Sequence, residues 1–245
     1  MITLQFHPNW PHGEWMVIES MVRDGSYRSQ FVTGVSNGGL TAFAGGDRWR
    51  WESRLFSGKY DEQPASARPV YGVWNRRDDP YGGGIRFGSS YFRLKEDAID
   101  RATFCFPDSA REPQHFGDKS QLEQLCRLAD ESGFDDLDGY VEAHVHGGVQ
   151  LATDVDAVVL DPSFVGTRVE EAAQQLGCPV EYHPGFRATA NEFDPEYRGE
   201  HIVELARSLG PELTPERLGH AARNHSAQSV KQVWHCLARF GRIRR

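Results

Sequence analysis

The chain is poor in cysteine, and this shortage excludes two classes of protein. Its 245 residues include four cysteines, Cys105, Cys126, Cys178 and Cys236, with no CxxC pair among them. A disulfide framework or a thiolate zinc site would need closer spacing. We therefore expect four reduced thiols that act mostly as small apolar side chains.

The chain also lacks long hydrophobic runs and an excess of basic residues over acidic ones. No run approaches the roughly 18 apolar residues that a membrane-spanning helix needs. The N-terminal MITLQFHPNW lacks the basic end and apolar block of a secretory signal. The net charge of -8 argues against nonspecific nucleic-acid binding, which requires a positive surface. We expect a soluble, cytoplasmic protein.

The common nucleotide and nucleophile signatures do not occur in the chain. There is no GxGxxG, no GxxxxGK[ST] and no GxSxG, and GVSNGG (34–39) lacks the phosphate-loop spacing and lysine. Any catalytic or binding site must therefore come from residues outside these motifs.

The first two-thirds of the chain is mixed and rich in strand-like segments, and the last third is mainly helical. The predicted strands are VYGVWN (70–75), IRFGSSYFRL (85–94), RATFCF (101–106) and VDAVVLDP (155–162). The predicted helices span 13–24, 47–56, 119–130, 167–176, 199–209, 214–224 and 226–240. Thr167 is the expected N-cap of the fourth of these helices, and Ser226 that of the last. Because strands and helices do not alternate, we predict an α+β fold with a central, mostly antiparallel mixed sheet and flanking helices. Residues 1–165 would form the core, and 166–245 a helical extension packed on it as one unit.

The stretch GYVEAHVHGG (139–148) alternates in a way that suggests a site. In a strand, Val141, Ala143 and Val145 would point to one face, and polar side chains to the other. The polar set is Tyr140, Glu142, His144 and His146. We predict that the apolar face packs in the core and that the polar face forms a recess for a small polar ligand.

This polar face has two other interpretations. It is also what a solvent-exposed face of an antiparallel edge strand would show. Alternatively, His144 and His146 form a metal pair that His7 or His183 completes in a metal-dependent hydrolase. A metal site needs three or four ligands and a supporting shell, and no other acid has a matching spacing. We therefore expect no bound metal.

Two further segments offer groups for ligand binding. The guanidinium of Arg28, beside Tyr27, suits a pyrophosphate or a carboxylate, although a surface ion pair would look the same. In FGSSYF (87–92), Ser89 and Ser90 interrupt an aromatic strand before Tyr91. Such a loss of bulk lets a flat ring approach the backbone, and it is also typical of a β-bulge.

The motifs together resemble a bacterial family known as domain of unknown function 3626. The resemblance covers nearly the whole chain, from His7 to about Trp234. It is carried by FHPNW, YRSQFVTGVSNGGLTA, GGDRWRWESRLFSG, RPVYGVWN, RFGSSYFRL, RATFCFPDS, YVEAHVHGGVQL, DVDAVVLDPSF and YHPGF. Asn9 stands where the family usually has Asp, and His144 where it usually has Gln, which argues against the paired histidines as a metal site.

A more remote resemblance is to ADP-ribosyltransferases of the Arg–Ser–Glu type, which carry these three residues on successive strands. It implies that Arg28 holds the NAD pyrophosphate, Ser89 braces the strand beside the nicotinamide ribose, and Glu142 binds the ribose 2′-hydroxyl. Tyr91 or Phe92 would then wall the nicotinamide. The resemblance also implies NAD as the cofactor, and a small-molecule nucleotide and an acceptor as the partners.

One departure bears on the acceptor. Arginine-modifying members carry Gln or Glu two residues before the catalytic Glu, and this chain has Tyr140 there. That difference argues against arginine as the acceptor. A binding module without catalysis is the remaining alternative, in which Arg28, Ser89 and Glu142 would not meet in one cleft.

Overall fold

The computed structural model describes residues 1–34 and 42–243. Most of the GVSNGG segment and the last two residues lie outside this description. Among the described residues, eight strands form one sheet in the order β12-β11-β6-β1-β5-β9-β7-β8. The strands of this sheet are β1 Ile2–Phe6, β5 Val70–Trp74, β6 Ser90–Leu94, β7 Ala102–Phe106, β8 His115–Gly117, β9 Val141–Val145, β11 Val155–Leu160 and β12 Val180–Tyr182. Neighbouring strands are antiparallel except β11 and β12, which are parallel.

The remaining elements surround this sheet. Two short ribbons pair β2 Pro11–His12 with β3 Trp15–Met16, and β4 Ser26–Tyr27 with β10 Val149–Gln150. The helices are α1 Val17–Asp24, α2 Gln30–Thr33, α3 Asp47–Leu55, α4 Leu122–Glu131, α5 Leu151–Asp154, α6 Arg168–Ala173, α7 Pro195–Arg198, α8 Glu200–Ser208, α9 Pro215–Ala221 and α10 Ala227–Phe240. The predicted α+β class and the mostly antiparallel sheet are confirmed.

The two faces of the sheet differ in character because apolar and polar residues alternate along its strands. One face carries Leu4, Phe92, Phe104 and Val141, which form a core with residues of α1, α4 and α6. Directly opposed residues of antiparallel strands share a face, so the register places a polar set on the other side. That set includes Thr3, Gln5, Tyr71, Thr103, Cys105, Glu142 and His144.

A second core lies in the helical third. It consists mainly of residues after 185, to which Tyr81, Ile85 and Leu137 contribute from earlier in the chain. Trp234 of α10 is fully buried, and its indole Nε1 donates to the carbonyl of Ile85 at 3.0 Å. The Tyr81 hydroxyl donates to the carbonyls of Gly185 and Ile243. These bonds tie the helical third to the segment between β5 and β6.

Some predicted elements begin later than the sequence pattern indicated. The helix expected from residue 13 begins at Val17, because Gly13 has a φ of 62° in the turn between β2 and β3. The strand expected from residue 85 begins at Ser90. Gly88 comes so close to the backbone of Phe6 that an added Cβ would lie 2.3 Å from it. Ser89 therefore lies just before β6. Arg28 likewise lies outside a strand, because β4 ends at Tyr27.

Helix starts were predicted more accurately. Thr167 caps α6 by accepting from the Val169 N–H, and Ser226 caps α10 by accepting from the Ser229 N–H. Across the described residues, none of the helices has the length and apolarity to cross a bilayer. The cytoplasmic location stays a prediction.

The Trp234 anchor yields a stability prediction. Trp234→Ala should lower the free energy of unfolding by about 3–5 kcal/mol, because it empties a fully buried site and leaves the Ile85 carbonyl without its donor. Denaturant unfolding followed by circular dichroism measures this. Trp15, which is 43% exposed, is the matched control, and Trp15→Ala should cost about 1 kcal/mol or less. Equal losses in the two variants would contradict the anchoring role.

Candidate functional site

Glu142 lies on the polar face of the sheet, as the second residue of β9. Its Oε1 accepts from the Ser109 N–H at 3.1 Å and the Cys105 thiol at 3.7 Å, and it lies 2.9 Å from His144 Nε2. Among the described residues, no donor is bonded to Oε2. One oxygen of this buried carboxylate is therefore fixed, and the other is left for a ligand.

The Glu142 carboxylate faces a small cavity of about 50 Å³, called here the Glu142 cavity. Its lining is Gln5, Tyr27, Gln30, Arg48, Tyr71, Gly72, Val73, Phe87 and Glu142. A second cavity of about 140 Å³ is lined by Arg28, Trp10 and other residues and is called the Arg28 cavity. The two cavities share Tyr27, Gln30 and Tyr71, so they adjoin.

The surroundings of Glu142 favour its charged form. Burial raises the pKa of a carboxyl group, but the hydrogen bond from His144 acts in the opposite direction. Together with the Ser109 N–H and the charge of Arg48, this bond holds the pKa of Glu142 below its ordinary value. The site therefore presents a carboxylate at neutral pH.

A chain of hydrogen-bonding groups runs from Glu142 toward the surface. His144 Nδ1 lies 3.3 Å from the Thr103 hydroxyl, which lies 3.0 Å from His146 Nε2. His146 Nδ1 in turn contacts the Tyr60 hydroxyl at 2.5 Å. Burial, with repulsion from Lys59, lowers the pKa of His146 to about 4. Every group in this row has a hydrogen-bond partner when each one donates to the next, from Tyr60 to Glu142. This order of donors fixes the orientation of both imidazoles.

Helix α3 covers the polar face, and its Glu52 forms a buried ion pair with Arg68. Arg68 Nη1 donates to Glu52 Oε1 at 2.6 Å, and the Tyr71 hydroxyl donates to Glu52 Oε2 at 3.0 Å. Arg48, one turn before Glu52 on the same face of α3, lies 5.1 Å from the centre of the Tyr71 ring. Burial raises the pKa of Glu52, and its bonds to Arg68 and Tyr71 oppose that shift. The pair thereby holds Tyr71 in the wall that separates the two cavities.

Three side chains at Glu142 could together hold a metal ion. The ligand atoms of Cys105, Glu142 and His144 lie within 4.8 Å of one another, and all three residues are buried. This set differs from the one considered from sequence, because both ring nitrogens of His146 face Tyr60 and Thr103. Cysteine was not expected among the ligands.

The other two histidines considered as ligands lie elsewhere. His7 stacks on Trp10 at 4.2 Å and meets the edge of Trp234. His183 Nε2 donates to the carbonyl of Ser89 at 2.8 Å, and its Nδ1 accepts from the Gly185 N–H. The structure therefore does not bring His7 or His183 to His144.

The residues predicted to bind a nucleotide fall into three places. Tyr27 lines both cavities, and its hydroxyl donates to the carbonyl of Gln5 at 3.0 Å. Arg28 lines only the Arg28 cavity, where it pairs with Asp24 at 2.7 Å and remains 47% exposed. Thus Tyr27 shares the cavity of Glu142, and Arg28 lies in the adjoining one.

The serine pair lies apart from Glu142. Ser89 and Ser90 are buried, and within the described part of the chain their hydroxyls have no hydrogen-bond partner. The Tyr91 hydroxyl donates to the carbonyl of Pro80 at 3.0 Å. None of the three lines either cavity. Their predicted role beside the nicotinamide ribose therefore lacks a contact that supports it.

Sequence reasoning missed the cavity residues Gln5, Arg48 and Tyr71. Gln5 and Tyr71 carry a usable signal, because ITLQF and VYGVW alternate and place them opposite the apolar face. Arg48 carries no such signal, since its role depends on where α3 packs.

Comparison with known proteins covers most of the chain. A family model described as "Protein of unknown function (DUF3626)" matches residues 1–136 and 118–237. The matched residues include the whole sheet and both cavities. No curated protein matches the chain.

The buried ion pair of α3 can be tested by stability measurements. Arg68→Met should lower the free energy of unfolding by about 3–5 kcal/mol, because it leaves Glu52 buried without its partner. Adding Glu52→Gln to this variant should restore much of the loss. The exposed pair Arg127–Glu123 is the control, and Arg127→Met should cost less than about 1 kcal/mol. A double variant as unstable as Arg68→Met would show that the unpaired charge is not the cause.

Proposed function

The chain belongs to the DUF3626 family, and we propose that it cleaves the bond between ribose and nicotinamide in NAD. The ADP-ribosyl group would pass to an acceptor or to water. In this reaction the C1′–N bond breaks, and its electron pair leaves with neutral nicotinamide. The ribosyl cation then forms a bond to an oxygen or nitrogen of the acceptor, which gives up a proton to Glu142 and then to solvent.

The arrangement of the Glu142 carboxylate is the observation that carries this proposal. Its Oε1 is held by three donors, Oε2 has none among the described residues, and Glu142 lines a cavity. A fixed negative charge lowers the energy of a positive charge that develops on a bound sugar without having to reorient. The carboxylate is therefore suited to a transition state with oxocarbenium character.

The walls of the two cavities also suit a nucleotide. Tyr27, Tyr71 and Phe87 supply flat aromatic surfaces for a base, and Gln5 and Gln30 supply amide groups for ribose hydroxyls. The acceptor would approach from the Arg28 cavity, which is the larger of the two.

The proposed reaction predicts a large effect at Glu142. Glu142→Gln should lower the rate of nicotinamide release from NAD by about 10²–10³-fold, because the neutral amide no longer stabilises the cation. Chromatography of the released nicotinamide measures the rate. Glu181→Gln, an exposed carboxylate paired with Arg93, is the control and should retain the wild-type rate. Equal rates for Glu142→Gln and the wild type would rule out this role.

A second candidate function follows from the donor set of Cys105, Glu142 and His144. Their atoms are separated by 3.7, 3.9 and 2.9 Å, and tetrahedral ligands with bonds of about 2.0–2.3 Å to zinc leave similar separations. Thr103 binds the other nitrogen of His144, as the groups behind metal-bound histidines do. This arrangement supports a metal-dependent hydrolase at the same place.

Cys105→Ala distinguishes the two candidates. If the site holds a metal, protein purified without a His tag should contain about one zinc, iron or manganese ion per chain, and the variant should lose it. If Glu142 acts on NAD without metal, the variant should retain nicotinamide release, because Cys105 makes only a long thiol contact to Oε1. Elemental analysis and the release assay on the same preparations measure both outcomes. Metal content well below one ion per chain would remove the second candidate.

A further inference from the structure

The Arg28 cavity carries little net charge. The carboxylate of Asp24 and the guanidinium of Arg28 both line it, and they pair with each other at 2.7 Å. The imidazole of His7 also lines the cavity, and burial, with repulsion from Lys231, lowers the pKa of His7 to about 3. The acidic and the basic group thus offset each other, and the buried imidazole of His7 adds no charge at neutral pH.

Aromatic rings make up much of the wall of this cavity. Phe6, Trp10, Tyr27 and Tyr71 all line it. The Trp10 ring stacks on the imidazole of His7, with 4.2 Å between the ring centres and 10° between the planes. Aromatic side chains pack well against other rings, either face to face with an offset or edge to face. The rings and the low net charge of the cavity therefore both favour a planar, uncharged ligand.

Two polar atoms of residues at this cavity lack a hydrogen-bond partner. The indole Nε1 of Trp10 can only donate, and the amide Oε1 of Gln30 can only accept. Both atoms are buried, and neither has a partner among the described residues. Trp10 and Gln30 line the same cavity. Because native structures leave few buried polar atoms unpaired, one unpaired donor and one unpaired acceptor at a cavity indicate a missing ligand.

The hydroxyl groups at the same cavity show that polar side chains there can be satisfied within the chain. The Ser20 hydroxyl donates to a backbone carbonyl at 3.2 Å, and the Ser29 hydroxyl does so at 3.0 Å. The Tyr27 hydroxyl likewise donates to a backbone carbonyl. The unpaired state of Trp10 Nε1 and Gln30 Oε1 is therefore an exception at this cavity.

We propose that the Arg28 cavity binds an uncharged heteroaromatic ring that carries an amino group, as an aminopurine or an aminopyrimidine does. A ring nitrogen of such a ligand can accept from Trp10 Nε1, and its amino group can donate to Gln30 Oε1. The ring packs against the aromatic wall. A carboxylate or a phosphate is disfavoured, because it offers no donor to Gln30 and needs a cation that is not already paired. This inference does not depend on what Glu142 does.

Adenine and purine test the site in the wild-type protein, because adenine differs from purine only by its amino group. Calorimetry should show saturable binding of adenine with an affinity about tenfold higher than that of purine, since purine leaves the Gln30 amide oxygen unpaired. Equal affinities for the two compounds, or no saturable binding of adenine below about 1 mM, would overturn the proposal.

Substitutions at the two unpaired atoms test each contact separately. Trp10→Phe keeps an aromatic ring beside His7 and removes the donor, so it should weaken adenine binding about tenfold. Trp15→Phe, at an exposed tryptophan outside the cavity, is the matched control and should bind adenine as the wild type does. Gln30→Met should bind adenine and purine equally, whereas Gln174→Met, at an exposed glutamine, should keep the preference for adenine. A preference for adenine that persists in Gln30→Met would contradict the assigned contact.

The stability of the ligand-free protein separates binding from folding. Gln30→Met should unfold at the same temperature as the wild type or higher, because it removes a buried acceptor that has no partner. Adenine should raise the unfolding temperature of the wild type and of Gln174→Met, and raise that of Gln30→Met much less. An equal rise in all three proteins would show that adenine binds elsewhere and would overturn the site.

Competition with ADP-ribose identifies the source of the ring. Displacement of adenine by ADP-ribose would assign the ring to a nucleotide, and adenine binding that ADP-ribose does not change would assign it to a separate molecule. Either result supports the site. Glu142→Gln should bind adenine as the wild type does, because Glu142 is not part of the lining of the Arg28 cavity. Adenine binding without nicotinamide release from NAD would support the ring site and refute the proposed reaction.

Discussion

The different character of the two faces of one sheet is the constraint on which the rest of the structure depends. The apolar face packs under α1, α4 and α6, as an ordinary core does. The polar face is buried as well, and buried polar groups are stable only with partners. Glu52 and Arg68 supply partners from the covering layer, and Ser109 supplies a backbone N–H to Glu142. The site therefore follows from the need to satisfy polar groups that the alternation of the strands places inside.

This network leaves specific groups unsatisfied. Glu142 lines a cavity and no donor among the described residues is bonded to its Oε2, and both ring nitrogens of His235 lack a hydrogen-bond partner within the described chain. The carboxylate lies on the sheet, and the imidazole lies on α10, so they belong to parts of the molecule that are far apart in sequence. Unsatisfied groups cost stability, and structures retain such groups mainly where a ligand completes them.

Sequence reasoning predicted the sheet and its polar strand because both depend on local alternation. Val141, Ala143 and Val145 are fully buried, as their parity requires. Alternation cannot show whether the polar side is exposed to solvent, because that depends on what covers it. In this structure α3 and the segment after it cover the polar side. The helical pattern of α10 was likewise visible, but its contact with the Ile85 carbonyl through Trp234 is brought about only by packing. Arg28 and Ser89 were assigned by their order in the chain, and order alone does not fix which side chains meet.

Electrostatics explains how the buried carboxylate of Glu142 stays ionised. An anion bound close to a carboxylate would raise the pKa of that carboxylate, since like charges disfavour ionisation. Arg48 lines the same cavity as Glu142, and its charge lowers the pKa of Glu142. This guanidinium therefore opposes the effect that an anionic ligand in the cavity would have on the carboxylate.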